Sequence, residues 1–189
     1  MKITDRKTEI ITIAAKLFRE KGYSAVTMRD IAQAMDIKAA SLYNHIKSKQ
    51  EILVLVIIEL AEEFTNTMTQ IVNSDETSIV KLERIIQLHI DITMRDSDAL
   101  ASLNSDWMHL DKKELDYFIK MREEYEENFR IIVRKGIEEG EIKNLNSEVI
   151  IFSILSTIRT LYLWYGKKKR FNAISLKSDL IQILLNGIV

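Results

Sequence analysis

Apolar residues recur at helical spacing along nearly the whole chain, and polar breaks separate one run from the next. Ile10, Ile13, Ala14, Leu17 and Phe18 share a face, which predicts a helix over 5–21 closed by Gly22. Thr27 stands three residues before Asp30, an N-cap pattern opening a short helix to about Met35, with Ile31, Ala32 and Met35 turned inward. A second short helix is predicted over 39–45, with Leu42 as its one inward anchor. Ser48, Lys49, Gln50 and Glu51 form an S-x-x-E capping box. It starts a long helix striped by Ile52, Leu53, Val56, Ile57, Leu60, Ala61, Phe64 and Met68.

The pattern breaks at Asn73, Ser74 and Asp75. Helices over 78–94 and 99–109 follow, with a polar joint at 95–98 between them. Asp111 and Glu114 cap a helix running to about Glu139, where Gly140 ends it. Asn146 and Ser147 introduce a helix over 147–165 that Gly166 closes. A basic loop, Lys167, Lys168, Lys169 and Arg170, leads to a last helix over 175–187. No repeat, low-complexity segment or strand pattern is visible, so the expected fold class is all-α.

The last two helices are apolar on most faces. The first carries Val149, Ile150, Ile151, Phe152, Ile154, Leu155, Ile158, Leu161, Tyr162, Leu163, Trp164 and Tyr165. The second carries Leu176, Leu180, Ile181, Ile183, Leu184, Leu185 and Ile188. Helices of this kind need cover on most sides. Pairing both with their copies in a two-fold four-helix bundle supplies it and predicts a homodimer. Burial of both within one protomer's core is the alternative.

Composition sharpens this picture. Of 189 residues 47% are hydrophobic and 29% charged, with no Pro and five Gly, as expected of packed helices without internal breaks. The absence of Cys excludes disulfides and thiolate metal sites. The charged, amphipathic start does not read as a signal peptide, and no window approaches an uninterrupted apolar span, so a cytoplasmic protein is expected. Of the 27 basic and 28 acidic residues, ten basic and five acidic fall in residues 1–50. A basic head on an acidic body suits a small module that binds a polyanion.

Two short helices joined by a tight turn and packed on a preceding helix are a helix-turn-helix. Its second helix leaves Ala39, Ala40, Ser41, Tyr43, Asn44 and His45 outside or partly outside. Small residues at its start let it lie deep in a major groove. Tyr, Asn and His can then reach phosphates or base edges. Lys49, at the start of the next helix, sits where backbone N–H groups and the helix dipole favour phosphate.

The stretch AAKLFREKGYSAVTMRDIAQAMDIKAASLYNHIKSKQEIL resembles the N-terminal domain of TetR-type (TetR/AcrR) transcriptional regulators along its length. The shared points are Ala14, Ala15, Leu17, Phe18, Gly22, Tyr23, Thr27, Ile31, Ala32, Leu42, Tyr43, His45, Lys49 and Leu53. The resemblance implies an all-helical homodimer whose heads read the halves of a palindromic, double-stranded operator. It also implies a larger C-terminal domain that binds a small effector and dimerises through its last two helices. On that pattern residues 1–47 are the DNA-binding domain and 48–189 the effector-binding and dimerisation domain. Thr27, Arg29, Ala39, Ala40, Ser41, Tyr43, Asn44, His45 and Lys49 are then the DNA contacts. Departures from the family pattern are Asp36 for the usual turn Gly, Lys38 for the usual Ser N-cap, Ala40 for a frequent Gly and Ile46 for the usual Phe. Lys38 gives up a cap worth about 1 kcal/mol and adds a candidate phosphate contact.

Farther on, the Trp107 region, Arg122 three residues before Tyr125, the turn at Gly140 and the pair Trp164 and Tyr165 resemble the acyl-CoA-responsive subgroup. Trp107, Met108, Tyr125, Phe129, Ile158 and Trp164 are candidates to line an apolar tunnel for a lipophilic tail, with the basic loop at 167–170 meeting a phosphate-bearing head. A planar multidrug-type ligand of an efflux regulator competes with this reading, as does a helical lipid carrier without DNA binding. Plain core packing of the aromatics is the simplest alternative.

Catalysis finds little support. His89, Asp91 and His109 are the only candidates, and residues two apart on a helix do not share a face. No H-E-x-x-H, G-x-S-x-G or phosphate-cradling Gly loop occurs, and Glu123, Glu124, Glu126 and Glu127 read as a solvated face. Neither an enzyme nor a cofactor or metal is expected.

Overall fold

A computed structural model describes residues 6–165 and 172–188. Its helices are α1 (Arg6–Lys21), α2 (Met28–Ala34), α3 (Ala39–Leu42), α4 (Lys49–Val72), α5 (Ser78–Arg95), α6 (Ser97–Ser105), α7 (Lys112–Glu138), α8 (Ser147–Tyr165) and α9 (Ala173–Asn186). Single 3₁₀ turns lie at Tyr23–Ala25 and Trp107–His109, and no strand occurs among the described residues. The fold is therefore all-α, as the periodicity predicts. Gly166 and the basic residues 167–170 lie outside the described residues.

The chain forms two compact units. The first takes the residues up to Glu62 together with Asp98–Lys120. Its core is built from Ile10, Ala14 and Phe18 of α1, Ile31 and Ala32 of α2, Leu42 of α3, and Ile52, Leu53 and Ile57 of α4. Ile13 and Leu17, expected on the same α1 stripe, are only half-buried, and Ala15 is buried in their place. Arg19 of α1 pairs with Asp98 of α6 at 2.7 Å. Tyr23 packs edge-on against Phe18 and stacks on His109, and its hydroxyl donates to Gln50. These contacts explain why the predicted 99–109 helix ends at Ser105. Residues 107–109 leave the helix in a 3₁₀ turn, where Trp107 stacks on Phe118 and His109 on Tyr23.

The second unit takes Glu63–Ser97 and Met121–Val189, and α5 packs against both α8 and α9 within it. Leu82, Ile85, Ile86 and Ile90 of α5 and Ile154, Ile158 and Leu161 of α8 are buried. Each such side chain contributes about 1.5–3 kcal/mol relative to exposure. By length and composition α8 could cross a bilayer, yet its apolar residues also serve a packed interior: seven are buried inside this unit. Arg159, in the middle of the same helix, is paired with Glu126 at 2.8 Å. That pair corrects the reading of Glu126 as part of a solvated face; neighbouring Glu127 is likewise engaged by Arg130.

Gly136 marks the tightest contact on α7. A Cβ there would lie 2.6 Å from Ile142 Cδ1 and 2.8 Å from Ser78 Cβ. The isoleucine tip can turn away. The serine Cβ is fixed by the first turn of α5 and cannot. Alanine gains about 1 kcal/mol of helix propensity, and the clash costs about 1–3 kcal/mol. Gly136→Ala is expected to lower the melting temperature by a few degrees in a thermal melt, against the usual direction for Gly→Ala in a helix.

Candidate nucleic-acid interface and ligand-binding interior

The helix-turn-helix is set by its caps and its turn. Thr27 accepts from the Asp30 N–H, and the Asp30 carboxylate accepts from the Thr27 N–H, a reciprocal capping box. Hydrogen bonding from Thr27 holds the Asp30 carboxyl below its ordinary pKa. A lowered folded-state pKa means this contribution is present above the carboxylate range and fades as pH falls through it. Asp36 makes the turn at φ +54°, the left-handed conformation that Gly usually supplies and Asp tolerates.

Lys38 provides no side-chain cap for α3, and the helix is only four residues long. The predicted 39–45 helix instead ends at Leu42. Residues 43–45 continue as tight turns, with Asn44 N–H donating to the Ser41 carbonyl and His45 N–H to that of Leu42. Leu42 and Ile46 anchor this segment from both ends, each almost fully buried. Between and around them Ala40, Ser41, Tyr43, Asn44 and His45 are exposed and Ala39 is half-buried. Arg29 and Lys38, with Gln33, Asp36 and Ala39, line an open concavity of about 490 Å³ at the α2–α3 turn. Thr27, Arg29 and Lys38 are all exposed, so the structure puts these expected DNA contacts on the surface of one compact unit.

Lys49 is placed differently. Its Nζ donates to the carbonyls of Tyr23 and Val26, both at 2.8 Å, and lies 4.1 Å above the Tyr23 ring. Burial lowers its pKa. Two of its three N–H donors are occupied in clamping the 23–26 loop. Phosphate at this end of α4 is left with the third donor and the backbone. Ser48 caps α4 by accepting from Glu51 N–H, while the Glu51 carboxylate reaches one residue farther back than expected, to Lys47 N–H.

The candidate effector residues divide between the units. Trp107 and Met108 belong to the first, and Met108 is exposed. Tyr125, Phe129 and Ile158 are buried in the second, and Trp164 lies exposed near the end of α8. Around Tyr125 the structure assembles side chains the sequence did not single out as a group. His89 Nε2 and Tyr125 Oη are 2.9 Å apart, and Phe64 packs on both rings at 4.6 and 6.1 Å. Burial, with a smaller push from the Arg159 charge, drives the His89 pKa down to about 3, and burial raises that of Tyr125. Both groups are therefore neutral at ordinary pH. The available signal was a His followed by Thr93 four residues on, polar positions on an otherwise apolar face. No cluster of His, Cys, Asp or Glu able to hold a metal occurs among the described residues.

Residues 10–56 match the model for bacterial regulatory proteins of the tetR family, and residues 75–188 match the tetracyclin repressor-like C-terminal domain. The chain is 25% identical over 185 residues to the HTH-type transcriptional repressor KstR2 of Rhodococcus jostii, covering 97% of this chain and 91% of that protein. The solved structure of the ketosteroid transcriptional regulator KstR2 of Mycobacterium tuberculosis superposes with a TM-score of 0.91 at 22% identity, over 100% of this chain and 97% of that one. The structure of AibR in complex with isovaleryl coenzyme A and operator DNA has a TM-score of 0.79 at 19% identity, over 95% and 97% of the two chains.

Proposed function

The chain belongs to the tetR family of bacterial regulatory proteins, which are transcriptional regulators and not enzymes, and we propose that it is a dimeric repressor released from a palindromic operator by a small lipophilic effector, with an acyl-CoA as the first candidate. The observation that carries this reading is the exposed face of Tyr43, Asn44 and His45, held between buried Leu42 and Ile46, in the same compact unit as exposed Arg29 and Lys38. Such a face exposes a large aromatic for no structural reason, and its chemistry suits base edges and phosphates. Residues 1–47 act as the reading head and 48–189 as the effector and dimer part. Working on operators, the protein acts in the cytoplasm.

Dimerisation through α8 and α9 is supported by the apolar side chains they leave uncovered. Val149, Phe152, Leu163, Ile174 and Ile183 are each more than half exposed in the protomer. The acyl-CoA suggestion draws on the buried aromatic interior around Tyr125 and Phe129 and on the ligand named for AibR. An effector that binds best to a conformation with mismatched head spacing shifts the population off DNA.

The direct test is binding to the promoter region of the protein's own gene, by anisotropy and footprinting. A two-fold symmetric footprint is expected. With Arg29 and Lys38 from both protomers on phosphates, log affinity should fall against log salt with a slope of about −4. Failure to bind any promoter fragment at low salt would leave a helical carrier as the better reading.

A further inference from the structure

We propose that His89, Thr93 and Tyr125 form the polar end of the effector site, and that it accepts a neutral carbonyl, as in a thioester, ester or ketone, and refuses a free carboxylate. This rests on the effector-binding reading above.

His89 and Thr93 lie one turn apart on the buried face of α5, with 4% and 0% of their surfaces exposed. His89 Nδ1 and Thr93 Oγ1 have no hydrogen-bond partner, while His89 Nε2 is held by the Tyr125 hydroxyl. Buried polar atoms are rarely left unpaired, because each then loses its water without compensation. Two such atoms one turn apart on one helix face, with the Tyr125 hydroxyl and the Phe64 ring against His89, point to something that completes them.

The network admits one consistent proton arrangement for a carbonyl. Tyr125 O–H donates to His89 Nε2, which puts the ring proton on Nδ1, free to donate to the ligand oxygen. Thr93 O–H supplies a second donor. The alternative tautomer, with Nε2–H donating to the Tyr125 oxygen, would place an acceptor at Nδ1 and suit a ligand hydroxyl instead of a carbonyl.

Charge separates the candidate ligands. Arg159, whose charge acts on both His89 and Tyr125, is bonded to Glu126 at 2.8 Å, so that charge is already matched. The burial that lowers the His89 pKa opposes formation of an imidazolium to meet an anion. A carboxylate here would give up its hydration for neutral donors alone, whereas a thioester carbonyl gives up little. An acyl-CoA would thus be distinguished from the matching free acid at its carbonyl.

The experiment is calorimetric titration of the full-length protein with acyl-CoAs from butanoyl to palmitoyl and with the corresponding free acids, repeated on Thr93→Val and His89→Phe. Thr93→Val keeps the side-chain shape and removes one orphaned hydroxyl. It is expected to raise the melting temperature of the ligand-free protein by about 2–4 °C and to weaken the best acyl-CoA about tenfold. His89→Phe should weaken it at least as much, and every free acid should bind at least tenfold more weakly than its thioester. Acyl-CoA binding by Thr93→Val and His89→Phe equal to wild type would overturn the inference and leave the effector reading intact. So would free acids that bind as tightly as thioesters. No binding by any acyl compound would remove the acyl-CoA reading and this inference with it.

Discussion

Tyr43→Ala is expected to weaken operator binding about a hundredfold while leaving the melting curve and the oligomeric state as they are. Tyr43 is 53% exposed, and its backbone N–H closes the end of α3 on the Ala39 carbonyl, a bond that alanine keeps. Removing an exposed side chain of this kind changes stability by no more than about 0.5 kcal/mol. Against DNA the same ring and hydroxyl supply a hydrogen bond to a charged or base-edge acceptor, worth about 1.5 kcal/mol once its surroundings are desolvated. A two-fold operator counts the loss twice, giving about 3 kcal/mol, or about a hundredfold. Anisotropy titration of a promoter fragment, with a thermal melt of the same sample, reads both halves of the expectation. Unchanged affinity would remove the α3 face as the reading surface. A lowered melting temperature would mean that Tyr43 is structural instead.

The elements that local chemistry dictates were legible in the sequence. Thr27 with Asp30, Ser48 with Glu51 and the positive-φ Gly22 and Gly140 all act within a few residues of themselves, so the helix ends they set fall close to expectation. Two ends shifted: Asn172 starts α9 early by capping Ile174 N–H, and α3 stops at Leu42, after which the chain turns so that Ile46 is buried. What could not be read were pairings between distant residues. Nothing near His89 announces Tyr125, and nothing near Glu126 announces Arg159. Lys49 shows the same limit at the head. Its place at a helix start suggests phosphate, but the carbonyls of Tyr23 and Val26 are brought under it only by the fold.

Phe152→Asp combined with Ile183→Asp is expected to convert the dimer to monomers and to lower operator affinity at least a thousandfold. Both side chains are about 70% exposed in the protomer, 72% and 71%. Aspartate at either position therefore remains hydrated in the isolated chain and does not burden its folding. In a two-fold seam the same carboxylates lose their water against an apolar face, which costs several kcal/mol per buried ion. Without the seam, each head binds a half-site alone and loses the effective concentration, millimolar or more, that its tethered partner supplied. Sedimentation would show the species directly, and circular dichroism would show whether helicity is retained. Phe152→Leu, which keeps the face apolar, is expected to stay dimeric and bind normally. A doubly substituted protein that still sediments as a dimer places the interface elsewhere on the surface. A folded monomer with wild-type operator affinity would mean that one head suffices, against the two-fold reading of the operator.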